Sequence, residues 1–169
     1  MRFLKLVFIV QLLTLSGCYV QQPERIIIPQ CKVNVVNGPI ILDYMWLNGC
    51  VDCQLMDASR WVRRQNDLMK MGDDYRASII CILSFDKEAD ATIVEKYRFL
   101  QREYNNVFFV YSRNDVLKFC RDNSFYPHRS FTCLLDKDGA IVTKGGNPKK
   151  DSEAFKQYSS LIYMYNNNH

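Results

Sequence analysis

The chain has 169 residues, 48% of them hydrophobic and 13% aromatic, with only 7 Gly and 5 Pro. A chain of that length can bury roughly two thirds of the surface its unfolded form exposes, enough for one domain with a core, and the composition excludes disordered, collagenous and repeat classes. The formal net charge is +4, with basic and acidic residues interspersed and no basic stripe, so there is no case for nucleic acid.

Arg2 and Lys5 precede an apolar run from Leu6 to Leu13 that is too short to span a bilayer as a mature helix, which is the pattern of an export signal. The run ends in Leu15-Ser16-Gly17-Cys18. This resembles the bacterial lipobox, and the resemblance implies cleavage before Cys18 and a diacylglycerol on its thiol. A plain secretory signal or short anchor with a coincidental cysteine is the alternative. Residues 1–17 are assigned to a lipoprotein signal peptide, 18–30 to a tether containing Gln21-Gln22-Pro23 and Pro29, and 31–169 to one domain. The domain is then expected in the cell envelope, lipid-anchored and facing the periplasm or at the outer membrane. In that oxidising setting cysteines pair or do redox work.

Within the domain, Cys31 to Val35 alternates as a strand would, and Asn37-Gly38 offers a tight turn before Pro39. Ile40 to Trp46 is a nearly continuous apolar run, as a central strand covered on both faces requires. Asp43 interrupts it. A carboxylate there must find a partner, carry a raised pKa, or sit solvated at a strand end. A helix follows from near Gln54, with Leu55, Ala58, Val62 and Met69 on its apolar stripe, Trp61 and Leu68 widening it, and Arg63, Arg64, Gln65 and Asp67 opposite. Gly72 ends it.

Ala77 to Leu83 reads as a second buried strand. Behind it comes an amphipathic helix with Asp90 as N-cap and Ile93, Val94, Tyr97, Leu100 and Tyr104 on one side. Val107 to Tyr111 is a third strand, and Asn114 or Asp115 can cap a short helix carrying Val116, Leu117, Phe119 and Cys120. Phe131 to Leu135 and Ala140 to Thr143 form a hairpin through Asp136-Lys137-Asp138-Gly139, whose glycine suits a position needing positive φ. A last helix, from near Asp151, places Phe155, Tyr158, Ile162 and Tyr165 on one face. Alternating units followed by a hairpin and a closing helix predict a mixed sheet with helices on both sides.

The chemistry centres on Cys50-Val51-Asp52-Cys53, at the junction of the apolar strand and the helix. Two sulfurs three positions apart in a first helical turn can close a disulfide, and the first also faces the unpaired N–H groups and positive end of the helix. That lowers its thiol pKa and supplies thiolate near neutral pH. Cys50 is therefore assigned the attack on a substrate disulfide and Cys53 the resolution of the mixed disulfide. Asp52 adds negative charge beside Cys50 and opposes part of the helix effect, which favours a reductant or isomerase-like partner over a strong oxidant.

Of the other cysteines, Cys81 and Cys133 sit in apolar strands and read as inert core. Cys31 and Cys120 can pair or remain free. A structural zinc site wants four ligands, and the only histidines are His128 and His169. Cu(I) on Cys50 and Cys53 is the better metal alternative, and no resident cofactor or metal is assigned. His128 reads as a surface loop residue.

Taken in order, Gly38-Pro39-Ile40-Ile41-Leu42-Asp43-Tyr44, Cys50-Val51-Asp52-Cys53, Ile82 to Lys87 and Cys133 to Val142 resemble segments of the thioredoxin superfamily, in its TlpA-like and alkyl hydroperoxide reductase/thiol-specific antioxidant branch. The resemblance runs from about Val36 to the C-terminus. It implies a thioredoxin-like three-layer α/β/α sandwich and a thiol-disulfide oxidoreductase. Its partners would be thiols or disulfides of exported proteins and a membrane electron donor. It also implies that Asp43 is the buried carboxylate that helps deprotonate Cys53.

The sequence departs from the family at three points. Counting forward from Asp43 leaves one extra residue before Cys50, whereas counting back from Cys50 puts Trp46 in the family's tryptophan position and moves Asp43 away; a one-residue slip turns every strand side chain over, so only one register holds. The first is preferred, with the extra residue in Leu47-Asn48-Gly49. Gly49 stands where the family has an aromatic residue. Ser130 stands where the family has a cis-proline, Pro127 lies three residues too early, and Arg129 is displaced from the peroxiredoxin arginine. The peroxidase motif Pro-x-x-x-Thr-x-x-Cys is absent. The missing peroxidase motif argues against a peroxidase, while Gly49 and the altered proline support the alternative of a catalytically inactive, thioredoxin-like binding module of the cell envelope, which the intact Cys50-Val51-Asp52-Cys53 opposes.

Overall fold

The computed structural model describes residues 24–28, 38–47, 51–85, 91–103 and 107–168. Its centre is strand β1, Ile40–Leu47, whose apolar run demands cover on both faces and receives it. Ile41, Met45 and Leu47 point into one core with Ala58, Trp61 and Leu68 of helix α1 (Val51–Met71) and Phe155, Tyr158 and Ile162 of the last helix. Ile40, Leu42 and Tyr44 point into the other, with Val116, Phe119 and Cys120.

Strand β2 (Ser78–Phe85) lies parallel to β1, paired from Ile40↔Ser78 to Leu47↔Phe85, and β3 (Val107–Val110) lies parallel to β2. On the other side β4 (Phe131–Leu135) runs antiparallel to β1, and β5 (Ile141–Lys144) antiparallel to β4. The sheet order is β3-β2-β1-β4-β5. Helices α2 (Ala91–Glu103), α3 (Arg113–Asp122) and α4 (Ser152–Asn168) complete the element order. Parallel strands need crossover helices and an antiparallel pair needs only a turn, so the layers follow from the connections. The result is a thioredoxin-like α/β/α sandwich with a mixed sheet, as the sequence implies.

Local chemistry explains the boundaries. Gly72, at φ 116°, takes the left-handed region that stops α1. Gly139 turns the β4–β5 hairpin at φ 87°, and a Cβ there would also collide with the carbonyl oxygen of Ile26. Asp136 organises the same turn, its Oδ1 accepting the N–H groups of Asp138 and Ala140, both at 2.8 Å. Asp151 Oδ1 accepts the Glu153 N–H at the start of α4. The outer edge of β3 is closed by Gln101, whose amide accepts from the Phe109 N–H and donates to the Val107 carbonyl, each at 2.9 Å.

Several expectations need correction. Residues 24–28, placed in a tether, are part of the folded body: Ile26 is buried, its N–H donates to Gly139 O at 2.8 Å, and Ile141 N–H donates to Glu24 O at 3.1 Å. The Asn123 side chain clamps the backbone of Ile27 from both sides. This short segment extends the hairpin edge, and its Ile26 side chain covers the Tyr44 core, where it is worth more buried than solvated. On α1 the buried stripe runs Ala58, Trp61, Gln65, Leu68; Gln65 is 4% exposed and Met69 is 64% exposed, the reverse of their expected faces. The i, i+3, i+7 spacing from Ala58 to Gln65 carries the amide inside because Trp61 fixes the rotation. Helix α3 starts at Arg113 with Ser112 in the capping position, earlier than Asn114 or Asp115, and leaves Leu117 exposed. The expected strand at Cys31 to Val35 and the Asp90 cap lie outside the described residues.

Candidate functional site

Cys53 lies in the first turn of α1 and is exposed, at the C-terminal end of β1 where the chain passes from sheet to helix. Cys50, Gly49 and Cys18, the expected lipidation position, lie outside the described residues, as do the side chains of Val51 and Asp52. Cys81, Cys120 and Cys133 carry free, buried thiols. Burial pushes the Cys81 thiol well above its usual range and Cys133 up to about 12, so neither supplies thiolate. Cys120 is raised as well, by burial, with the Tyr44 hydroxyl 3.2 Å from its sulfur partly offsetting the shift. Cys31, its possible partner, is outside the described residues.

Asp43 is 2% exposed and finds partners. Its Oδ2 accepts Trp61 Nε1–H at 2.7 Å and the Lys149 ammonium at 2.8 Å, and its Oδ1 accepts the Thr132 hydroxyl at 2.8 Å. Asp43 thus lies on the α1 side of the sheet, sharing its face with Ile41 and Met45. Lys149 is itself 8% exposed; it also meets Asp57 Oδ2 at 3.4 Å and Met45 Sδ at 3.1 Å. Asp57 in turn pairs with Lys150 at 2.8 Å and Arg60 at 3.3 Å, nearer the surface. A charged chain thus runs from the sheet interior outward.

The protonation states follow from these contacts. Burial pulls the Lys149 pKa down, but the carboxylates of Asp43 and Asp57 outweigh it and leave it raised. Burial pulls Asp57 up, but Lys150 and Lys149 outweigh it and leave it lowered. Both groups are charged at neutral pH. Neither Lys149 nor Asp57 was legible as a site residue, although Asp57 stands four residues after Cys53 and the Lys149-Lys150 pair follows a Gly-Gly-Asn-Pro loop.

The residues expected opposite the dithiol are brought to the end of β1. The pairing of β1 with β4 stops at Tyr44↔Phe131, and beyond it the Trp46 N–H donates to Ser130 Oγ at 2.9 Å. The Trp46 ring meets His128 edge-on at 5.2 Å, and His128 meets Tyr126 edge-on at 5.4 Å. Pro127 offers its carbonyl to the Tyr44 hydroxyl at 2.9 Å. Arg129 is exposed beside it. No described peptide bond is cis, so Tyr126-Pro127 and Arg129-Ser130 are both trans.

A buried strand, a cysteine in the first turn of the following helix, and an antiparallel hairpin beside them define a thioredoxin-like scaffold. Among solved structures the chain is similar to a thiol:disulfide interchange protein from Bacteroides sp., at 18% identity over 70% of this chain and 73% of that one, with a TM-score of 0.43. It is similar to a SCO1/SenC family lipoprotein from Bacillus anthracis str. Ames, at 18% identity over 76% and 83%, TM-score 0.47. It is also similar to the thioredoxin domain of a thiol-disulfide oxidoreductase from Bacteroides vulgatus, at 16% identity over 70% and 79%, TM-score 0.41. These similarities concern chain path alone. No protein-family model and no curated protein matches the chain.

Proposed function

We propose that the chain is a thiol-disulfide exchange protein of the bacterial cell envelope, working through Cys50 and Cys53 and held to a membrane by lipid on Cys18. The observation that carries this is the contrast among cysteines: Cys53 is exposed at a helix start, while Cys81, Cys120 and Cys133 are buried. An exposed thiol at that position is where a helix N-terminus supports thiolate chemistry.

In the proposed cycle the Cys50 thiolate attacks a client disulfide, forming a mixed disulfide and releasing one client thiolate. Cys53 loses its proton and attacks the Cys50 sulfur, which releases the second client thiolate and leaves a Cys50–Cys53 disulfide. Two electrons pass to the client, and a membrane electron donor must restore the dithiol. Clients are exported proteins, whose disulfides form in that compartment. Ser130, Pro127, Arg129 and the Trp46–His128 pair would flank the client backbone.

Insulin-disulfide reduction by the full chain, driven by a chemical dithiol, tests this. Turnover is expected in the wild type and absent in Cys50→Ser. Wild type without turnover sinks the exchange activity and favours the inactive binding module. Incorporation of labelled fatty acid, abolished by Cys18→Ala, tests the anchor separately.

A further inference from the structure

We infer that Asp57, one helical turn below Cys53 on α1, is the carboxylate that sets the proton affinity of Cys53, while Asp43 is a positioning residue that acts on it only through Lys149. This rests on the proposed redox role of Cys53 for its meaning in catalysis, though not for its physical test.

The argument is one of reach. Residues four apart on a helix stand on one face with Cβ atoms about 6 Å apart, which makes Asp57 the next carboxylate along α1 from Cys53. Asp43 is directed elsewhere. It sits four residues before the end of β1, about 13 Å back along the strand from Leu47. Its acceptor sites are taken by Trp61, Thr132 and Lys149. Its α1 partner Trp61 starts eight residues beyond Cys53, about 12 Å along the axis. What joins the two carboxylates is Lys149, at 2.8 Å from one and 3.4 Å from the other.

The surrounding charges fix the sign. Asp57 is negative beside Cys53; Lys149 and Lys150 reach it from the loop before α4, and Arg60 from its own helix. His128 and Arg129 stand at the same end of the sheet. A nearby carboxylate disfavours thiolate, and the lysines limit that effect. The net effect is a higher proton affinity at Cys53, which weakens its thiolate in the reduced form and favours electron donation.

The test is the pH dependence of Cys53 alkylation in the full chain, read by mass spectrometry of its peptide in a Cys50→Ser background. Asp57→Asn is expected to lower the midpoint by about half a pH unit, the effect of one charge at about 6 Å through a water-like dielectric. Lys150→Met should move it the opposite way, and by less as salt rises. Asp43→Asn should move it less than Asp57→Asn. A midpoint unmoved by Asp57→Asn, or moved further by Asp43→Asn, overturns the inference. Insulin turnover reports separately: a protein without turnover whose midpoint still follows Asp57 loses the redox function and keeps the electrostatic assignment.

Discussion

Neighbouring residues on β1 solve the problem of a buried polar group in opposite ways. Asp43, facing α1, is an ion held by an ammonium, an indole N–H and a hydroxyl. Tyr44, facing α3, is a neutral phenol whose proton goes to the Pro127 carbonyl, with the Cys120 thiol at its oxygen and Phe131 and Phe119 stacked at 5.4 and 6.0 Å. Burial keeps that phenol protonated far into alkali. The charged face depends on every partner being present, because an unpaired buried ion costs several kcal/mol; the neutral face loses one hydrogen bond at a time. One face is therefore brittle and the other tolerant.

The largest test of that difference is Lys149→Met. It strands Asp43 without its counter-ion and is expected to cost about 3–5 kcal/mol of stability, measured by urea unfolding. Adding Asp43→Asn to the same protein should restore most of the loss, since the amide oxygen can still accept from Trp61, the amide NH2 can donate to the Thr132 hydroxyl oxygen, and no charge remains. A double variant as unstable as the single one would mean that Lys149 acts by packing on Met45 and not by charge.

On the tolerant face, Tyr44→Phe keeps the ring stack and deletes the hydroxyl. The expected cost is about 1–2 kcal/mol by the same measurement, that of leaving the Pro127 carbonyl unsatisfied. A cost equal to that of Lys149→Met would erase the contrast between the faces.

How much of this was legible in the sequence divides along the same line. Strand β1, α1 with its Gly72 stop, and the Asp136-Lys137-Asp138-Gly139 hairpin could be read because periodicity and turn chemistry are local. Asp43 stood out as a carboxylate in an apolar run, so the need for a partner was legible. Which partner was not, since Lys149 is 106 residues away in sequence and meets Asp43 only when the hairpin folds back and α4 docks. Residues 24–28 were hidden for a related reason: an Ile-Ile-Ile run beside prolines looks like a linker until Asn123 and Gly139 give its backbone partners. Gln65 and Met69 changed places because rotation about a helix axis is set by what the helix packs on, here Trp61 against Asp43.

The smallest effect concerns the outer end of the charged chain. Asp57 is held below its ordinary carboxylate pKa of 3.8 in the folded protein, so its contribution to stability is present above that pH and is lost as pH falls through the lower folded value. Lys149 has the opposite sign: its pKa is raised above 10.5, so its contribution is present below that pH and fades only in stronger alkali. Between these limits the cluster should be insensitive to pH. Because Asp57 is partly exposed and its Lys150 and Arg60 contacts are screened, the stability gap between wild type and Asp57→Asn should be under about 1 kcal/mol at pH 7. The gap should be flat from pH 5 to 8 and shrink below the ordinary carboxylate range, as urea unfolding at pH 7 and pH 3 would measure. A gap that persists in acid would show Asp57 holding the loop by hydrogen bonds that outlast its charge, and would separate its structural part from the electrostatic hold on Cys53.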